Sequence, residues 1–164
     1  MTFGPAEERK SVAAHLYLRE EQIRHSYELL LRAWRSLNAE CDVLLRENGL
    51  GAAHHRILFL VAYHPGITFS ELLESLGVTK QSLSRALNEL LERSFLVQER
   101  DDKDRRKRPL RLTSQGEEIE KKLFLLLRDV MTRSYKEAGM TAVEGFKKVL
   151  SPLQRVSQEV SDAR

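Results

Sequence analysis

A heptad repeat of apolar residues near the start of the chain most restricts the folds that this sequence can adopt. From residue 16 to residue 44 the spacings are seven, four and three, at Leu16, Ile23, Tyr27, Leu30, Trp34, Leu37, Cys41 and Leu44. This pattern predicts one helix of roughly thirty residues with a single apolar seam, ended by Asn48-Gly49. Such a helix exceeds the needs of a small core, so we expect it to pack against a partner chain.

The next segment has the pattern of a helix-turn-helix. A second helix is predicted over about residues 52–64. Thr68 and Glu71 form a capping box for a short third helix, which ends at Gly77. Thr79 caps a fourth helix, whose predicted buried face is Leu83, Ala86, Leu87, Leu90 and Leu91. Two short helices joined by a turn that contains glycine are typical of a helix-turn-helix.

A highly charged segment follows, between two short apolar stretches. Residues 100–111 hold seven Lys/Arg and three Asp, a formal charge of +4. Since the whole chain carries +3, the remainder carries −1. Phe95-Leu96-Val97 begins one strand, and Leu110 and Leu112 alternate with polar residues in another. We therefore expect a two-stranded basic wing that contacts a polyanion, and a solvated charged loop is the alternative.

Two more helices complete a mainly α fold with a small antiparallel β-wing. Thr113 caps the first of them, which has two apolar stripes, and Thr141 with Glu144 forms a capping box for the second. The prediction is a winged helix-turn-helix with a helical dimerisation region from both termini. Its regions are a flexible tail at 1–12, the dimerisation region at 13–50 and 117–164, and the winged helix-turn-helix lobe at 51–116.

Composition and motifs argue against several other classes of protein. The single cysteine excludes a disulfide within the chain and fits a reducing compartment. The sequence shows neither a signal peptide nor an apolar run of membrane-spanning length, so a cytoplasmic location without a membrane partner is expected. The sequence also lacks HExxH, GxSxG and Cys-x-x-Cys motifs, so we expect no enzyme, no metal and no cofactor.

Residues 82–116 resemble the MarR family of winged-helix transcription regulators. SLSRALNELLERSFLV, at residues 82–97, is similar to the family's recognition helix and its exit into the wing. Asp104-Arg105-Arg106, then six residues, then TSQG from Thr113 matches the family's wing signature. Residues 49–73 further resemble a proteobacterial subgroup of the family. Gly51 departs from the common pattern, in which Ser or Thr often begins the second helix.

The resemblance implies a homodimer whose terminal helices interleave and whose winged lobes bind a palindromic operator in double-stranded DNA. It implies a transcription regulator, usually a repressor, that a small-molecule or redox effector releases from DNA. Two alternatives remain open. One is an architectural DNA-binding protein with little sequence preference, whose affinity salt would set. The other is a protein-interaction module whose long helices bind a different partner.

The predicted DNA contacts lie on the recognition helix and in the wing. The helix N-terminus offers N–H groups to a phosphate, and Arg85 is placed to pair with guanine O6 and N7. The resemblance places Arg106 in the minor groove, and Asp104 is expected to pair with a neighbouring arginine and shape the turn. The DNA-binding set is Thr79, Lys80, Gln81, Ser82, Ser84 and Arg85 in the helix, and Lys103, Arg105, Arg106, Lys107 and Arg108 in the wing.

Histidines and the cysteine suggest two further hypotheses. His54 and His55 lie about 100° apart around a helix, so they do not share a face as zinc ligands four residues apart do. We interpret them as partly exposed helix residues, with an effector pocket lined by Tyr27, Trp34, His54 and His55 as the alternative. Cys41 lies on the heptad seam and is interpreted as an inert buried residue, with a thiol switch as the alternative.

Overall fold

A computed structural model of the protein describes residues 19–99 and 108–162, with side chains described up to residue 154. The described residues form six helices and one two-stranded sheet. In chain order they are α1 (Glu20–Glu47), α2 (Ala52–Tyr63), α3 (Phe69–Leu76), α4 (Lys80–Glu92), β1 (Leu96–Gln98), β2 (Leu110–Leu112), α5 (Ser114–Ala138) and α6 (Met140–Asp162). The predicted mainly α fold with a small antiparallel wing is confirmed.

The chain divides into two compact units inside α1, the first ending at Ala39 and the second beginning at Glu40. In the first unit the heptad seam is exposed to solvent, and its exposed members are Ile23, Tyr27, Leu30 and Trp34. Leu16, the first position of the predicted seam, lies outside the described residues. The predicted boundaries of the tail, the dimerisation region and the lobe stay predictions.

The second unit has a continuous core to which the last turns of α1 contribute. Cys41 and Leu45 are buried there, and α1 ends with Gly49 at a φ of +60°, a left-handed conformation that glycine adopts without strain. Helix α2 is central, because it contacts α3, α4, α5 and β2. The core includes Ile57, Leu58, Val61, Leu72, Leu83, Leu87, Leu90, Leu96, Leu110, Ile119 and Leu123.

Helices α3 and α4 form the predicted helix-turn-helix, and their predicted caps are confirmed. At the start of α3, the backbone N–H of Thr68 donates to Glu71 Oε2 at 2.7 Å, and Thr68 Oγ1 accepts from the Glu71 N–H. Gly77 ends α3 with a φ of +59°. At the start of α4, Thr79 Oγ1 accepts from the Ser82 N–H at 3.2 Å. These local hydrogen bonds fix where α3 and α4 begin.

Strands β1 and β2 form the base of the wing. They pair antiparallel, with Leu96 opposite Leu112 and Gln98 opposite Leu110. The carbonyl of Leu110 also accepts from the Gly66 N–H at 3.1 Å, and the Leu110 N–H donates to Ile67 at 3.0 Å. The loop between α2 and α3 therefore holds β2 from the other side. The segment that connects the two strands, residues 100–107, lies outside the described residues.

The first turn of α5 packs closely against the backbone of Phe95. Thr113 Oγ1 accepts from the Gly116 N–H at 3.0 Å, as predicted for its cap. A Cβ atom at Gly116 would lie 2.0 Å from the carbonyl oxygen of Phe95, so only glycine fits here.

Helix α6 begins earlier than predicted. The Gly139 carbonyl accepts from the Val143 N–H at 3.2 Å, which places Thr141 inside the first turn of α6. The predicted capping box at Thr141 is therefore wrong, because the positive φ of Gly139 already separates α5 from α6.

Candidate nucleic-acid interface

The N-terminal half of α4 presents one polar face to solvent. Leu83, Ala86, Leu87 and Leu90 anchor the opposite face in the core. The exposed predicted contact residues are Thr79, Lys80, Gln81, Ser82 and Arg85, and Ser84 is half-buried. The first backbone N–H groups of a helix lack partners within it, so this end of α4 suits a phosphate oxygen. The helix therefore offers hydroxyl, amide and cationic groups on one exposed face.

The described part of the wing contributes one predicted contact residue and one ion pair. Arg108 is exposed next to β2. Arg111 pairs with Glu99 across the base of the wing, with Nε and Oε2 2.6 Å apart. The positive charge of Arg111 is thus partly compensated before any ligand binds. The other predicted wing residues, Lys103, Asp104, Arg105, Arg106 and Lys107, lie outside the described residues.

A carboxylate on α4 was not anticipated from the sequence. Glu89 Oε1 accepts from the Arg85 Nε–H at 3.2 Å, and Glu89 Oε2 lies 2.9 Å from His54 Nε2. The hydrogen bond from Arg85 is the main cause that lowers the pKa of the Glu89 carboxyl below its usual range, and His54 adds to the effect. The spacing of four residues between Arg85 and Glu89 is a visible helix pairing signal. The contact between Glu89 and His54 joins two different helices, so no local sequence pattern predicts it.

His54 and His55 are buried, so the prediction that they are partly exposed was wrong. His54 stands third in α2, and its Nδ1 accepts from the Gly51 N–H at 2.9 Å. The imidazole thus satisfies a backbone donor at the glycine where a Ser or Thr cap is missing. Burial, then the nearby Arg56, lowers the pKa of His55, which favours its neutral form. The effector pocket stays a prediction.

Arg93 connects the end of α4 to the turn between α1 and α2. Its guanidinium donates to the carbonyl of Gly49 at 2.8 Å and to that of Asn48 at 2.5 Å. It also lies 5.1 Å from the ring centroid of Phe95, within the range of a cation–π contact. Arg93 and His54, which contacts Gly51 and Glu89, thus connect α4 to this turn at two points.

Cys41 is fully buried, and its Sγ lies 3.8 Å from the carbonyl oxygen of Leu123. Burial raises the pKa of the thiol, and the negative charges of Asp42 and Glu40 raise it further. The thiolate is the form that reacts with oxidants, so these surroundings favour the inert interpretation over the thiol switch.

Comparison with known proteins places this geometry in a family. A sequence model of the MarR family matches residues 48–107. The HTH-type transcriptional regulator PetP of Rhodobacter capsulatus is 37% identical over 138 residues, which cover 84% of this chain and 83% of PetP. The chain belongs to the MarR family. It is a DNA-binding transcription regulator with a winged helix, and its similarity to PetP agrees with the subgroup that residues 49–73 resemble.

Solved structures of MarR-family proteins share the fold. A MarR protein from Peptoclostridium difficile superposes with a TM-score of 0.70 at 20% identity, covering 90% of this chain and 95% of that chain. NadR in complex with 4-hydroxyphenylacetate gives a TM-score of 0.69 at 20% identity, covering 77% of this chain and 90% of that chain.

Within residues 19–99 and 108–162, no group of three or more His, Cys, Asp or Glu is arranged to hold a metal ion. In the same part of the chain, none of the helices is both long and apolar enough to cross a membrane.

Proposed function

We propose that this MarR-family chain acts as a homodimer that binds a palindromic operator and represses transcription from it. The observation that carries the proposal is the polar face of α4, with its N-terminus open and its apolar face anchored in the core. Helix α4 enters the major groove, where Arg85 pairs with guanine and discriminates against other bases by roughly 1–3 kcal/mol. Thr79, Lys80, Gln81, Ser82 and Ser84 contact phosphates and neighbouring base edges.

The wing contributes the second set of contacts in this proposal. Residues 100–111 concentrate the positive charge of the chain, and Arg108 is exposed at the wing base. Arg106 enters the minor groove, where the negative potential attracts a guanidinium. Lys103, Arg105, Lys107 and Arg108 contact phosphates, which makes the affinity depend on salt, and Asp104 shapes the turn.

Exposed apolar side chains at both ends of the chain support the homodimer. In α1, Tyr27 is 62% exposed and Trp34 is 56% exposed. Phe146, Val149 and Leu153 are also exposed on α6. Single exposed apolar residues are normal, but a heptad seam of them is typical of a surface that packs against another helix.

The dimer is tested by placing a charge on the seam. Leu30→Glu is expected to convert the dimer to a monomer in light scattering at micromolar concentration, because a buried unpaired carboxylate is costly. Ser36→Glu adds the same charge to α1 away from the seam and is expected to stay dimeric. Wild-type protein that is monomeric, or a Leu30→Glu variant that is still dimeric, would contradict the proposed interface.

We further propose that a small anionic aromatic compound releases the protein from its operator. NadR has been solved with 4-hydroxyphenylacetate bound, which supports this class of compound. The candidate lining on α1 is the predicted pair Tyr27 and Trp34, which are both exposed. The test is a gel-shift titration with 4-hydroxyphenylacetate on wild type and on Tyr27→Ala, and release that is equal in both would exclude this lining.

Sequence specificity is tested by selecting duplexes from a random library and then competing the enriched duplex against random duplex. The proposed function predicts an enriched palindrome and an affinity roughly 10³-fold or more above that for random duplex. Equal affinity for all sequences, with a steep dependence on salt, would support the architectural alternative instead.

A further inference from the structure

The proton of the His54 ring is assigned by its two hydrogen bonds. The Gly51 N–H donates to Nδ1, so this nitrogen presents a lone pair. The ring proton of the neutral imidazole therefore lies on Nε2, which donates to Glu89 Oε2. Since His54 is buried and both nitrogens are used, its ring is fixed in orientation, and it holds the Glu89 carboxylate from the side of the core.

Glu89 needs both of its carboxylate oxygens for the contacts that it makes. One oxygen accepts from His54 of α2, and the other accepts from Arg85 one turn earlier on α4. A carboxylate has two acceptor oxygens, whereas the isosteric glutamine has a single acceptor oxygen and an NH₂ donor. With glutamine at position 89, an NH₂ donor replaces one of the two oxygens, so the donor that faces it, from His54 or from Arg85, loses its acceptor.

The hydrogen bond to Glu89 leaves the tip of the Arg85 guanidinium available for contact with a base. The bond uses the Nε–H, and the Arg85 side chain is 85% exposed, so its two Nη groups stay accessible to another acceptor. The two Nη groups form a planar fork that matches the O6 and N7 atoms of guanine. Arg85 has a highly exposed side chain, which without a second anchor would sample many rotamers.

We propose that Glu89, held by the buried His54, is a positioning residue that orients Arg85 for one guanine of each half-site. Base discrimination by this protein then depends on a histidine that does not touch DNA. The inference rests on the proposed function, because base reading by Arg85 belongs to it. Its physical basis is preorganisation: the entropy of ordering Arg85 is lost on folding rather than on binding.

The experiment measures a discrimination ratio, which is the Kd for the selected duplex with the guanine of Arg85 replaced, divided by the Kd for the selected duplex. That guanine lies in the base pair at which the Arg85→Ala variant discriminates less well than wild type. The ratio at this base pair is expected to fall by roughly 5- to 150-fold. Both Kd values come from one protein sample, so a partly unfolded variant affects them equally. Glu89→Gln is expected to lower the ratio by roughly two- to tenfold, the cost of ordering one long side chain.

Matched variants separate positioning from a general effect of charge or stability. Glu92→Gln removes the same charge from an exposed position on α4 and is expected to leave the ratio unchanged. His54→Ala is expected to lower the ratio as Glu89→Gln does, although it also removes the cap at Gly51 and lowers the melting temperature. In the Arg85→Ala background, neither substitution is expected to change the ratio further.

The outcomes are distinct. A Glu89→Gln variant with an unchanged or increased ratio would overturn the inference. The inference would also be overturned if Glu89→Gln lowered the ratio equally in wild type and in the Arg85→Ala variant. Selection that enriches no sequence, or an Arg85→Ala variant that keeps full discrimination, would overturn the proposed function and this inference with it. The anchor is also checked without DNA: nitrogen NMR of wild type is expected to show His54 protonated on Nε2, and a proton on Nδ1 would refute the assignment.

Discussion

Apolar side chains are buried in the lobe around α2, whereas many of those on the helices at the two ends of the chain are exposed. In the lobe, Leu58 and Leu72 are completely buried. In the first unit, Tyr27 and Trp34 expose more than half of their surface, and in the second unit Val149 of α6 does so as well. Burying one large apolar side chain contributes about 1.5–3 kcal/mol. The lobe residues therefore stabilise one chain, whereas in the proposed homodimer the terminal residues contribute this free energy to assembly.

The largest expected effect distinguishes the buried leucines of the lobe from the exposed leucines of α1. Leu58→Ala is expected to lower the free energy of unfolding by roughly 2–5 kcal/mol, because it leaves a cavity in the core. Urea denaturation measures this loss, which should be the same at every protein concentration. The matched variant Leu30→Ala should lose stability in proportion to dimer formation, so its loss should grow with concentration. A loss for Leu30→Ala that does not vary with concentration would break the comparison.

The junction between the lobe and α5 is tested at Gly116. Gly116→Ala brings a Cβ atom against the Phe95 carbonyl, so the backbone must shift, at a cost of about 1–3 kcal/mol. The control Gln115→Ala truncates the neighbouring exposed residue and should change stability by less than about 0.5 kcal/mol. Thermal unfolding of the two variants measures the difference. Equal melting temperatures would show that α5 is not held against β1 as described.

The wing is expected to affect binding without affecting stability. Arg106→Ala should weaken operator binding by roughly tenfold or more, about 1.4 kcal/mol, because a minor-groove contact is lost. Its melting temperature should stay that of wild type, in contrast to the lobe variants. Arg133→Ala removes an exposed arginine of α5 and should leave binding unchanged. Gel-shift titration measures all three proteins, and unchanged binding by Arg106→Ala would refute its role.

Cys41 is expected to give the smallest effect, although it lies on the heptad seam. Burial and two neighbouring carboxylates raise the pKa of its thiol, so less thiolate forms at a given pH. Alkylation of the folded protein should therefore become half-maximal at a higher pH than alkylation of a free thiol. Cys41→Ser should respond to peroxide as wild type does. Rapid labelling at pH 7, or operator release by peroxide that requires Cys41, would establish a thiol switch.

Local signals in the sequence predicted most of the fold. Thr68, Thr79 and Thr113 cap helices within three residues of their own positions, so the sequence around each one is sufficient to place it. The wing strands followed from the apolar run Phe95-Leu96-Val97 and from the alternation of Leu110 and Leu112 with polar residues. The predicted start of α6 at Thr141 failed because the backbone conformation of Gly139 separates α5 from α6 two residues earlier.

The candidate site was predictable only in its exposed half. The polar face of α4 follows from helical periodicity, and the family resemblance supplied the wing. The contact of Glu89 with His54 joins residues 35 positions apart, and it depends on how α2 packs against α4. The hydrogen bond from the Gly51 N–H to His54 could not be predicted either, because histidine is not a usual capping residue. Long-range polar contacts of this kind follow from packing and not from any local pattern.

The central claim is that two identical chains, joined through their terminal helices, place two winged lobes on one duplex. The most direct measurement is the mass of the complex with the selected duplex, combined with a footprint of the bound DNA. The account predicts two chains per duplex and two protected half-sites about 34 Å apart, one helical turn. One chain per duplex, or protection of a single half-site, would contradict it.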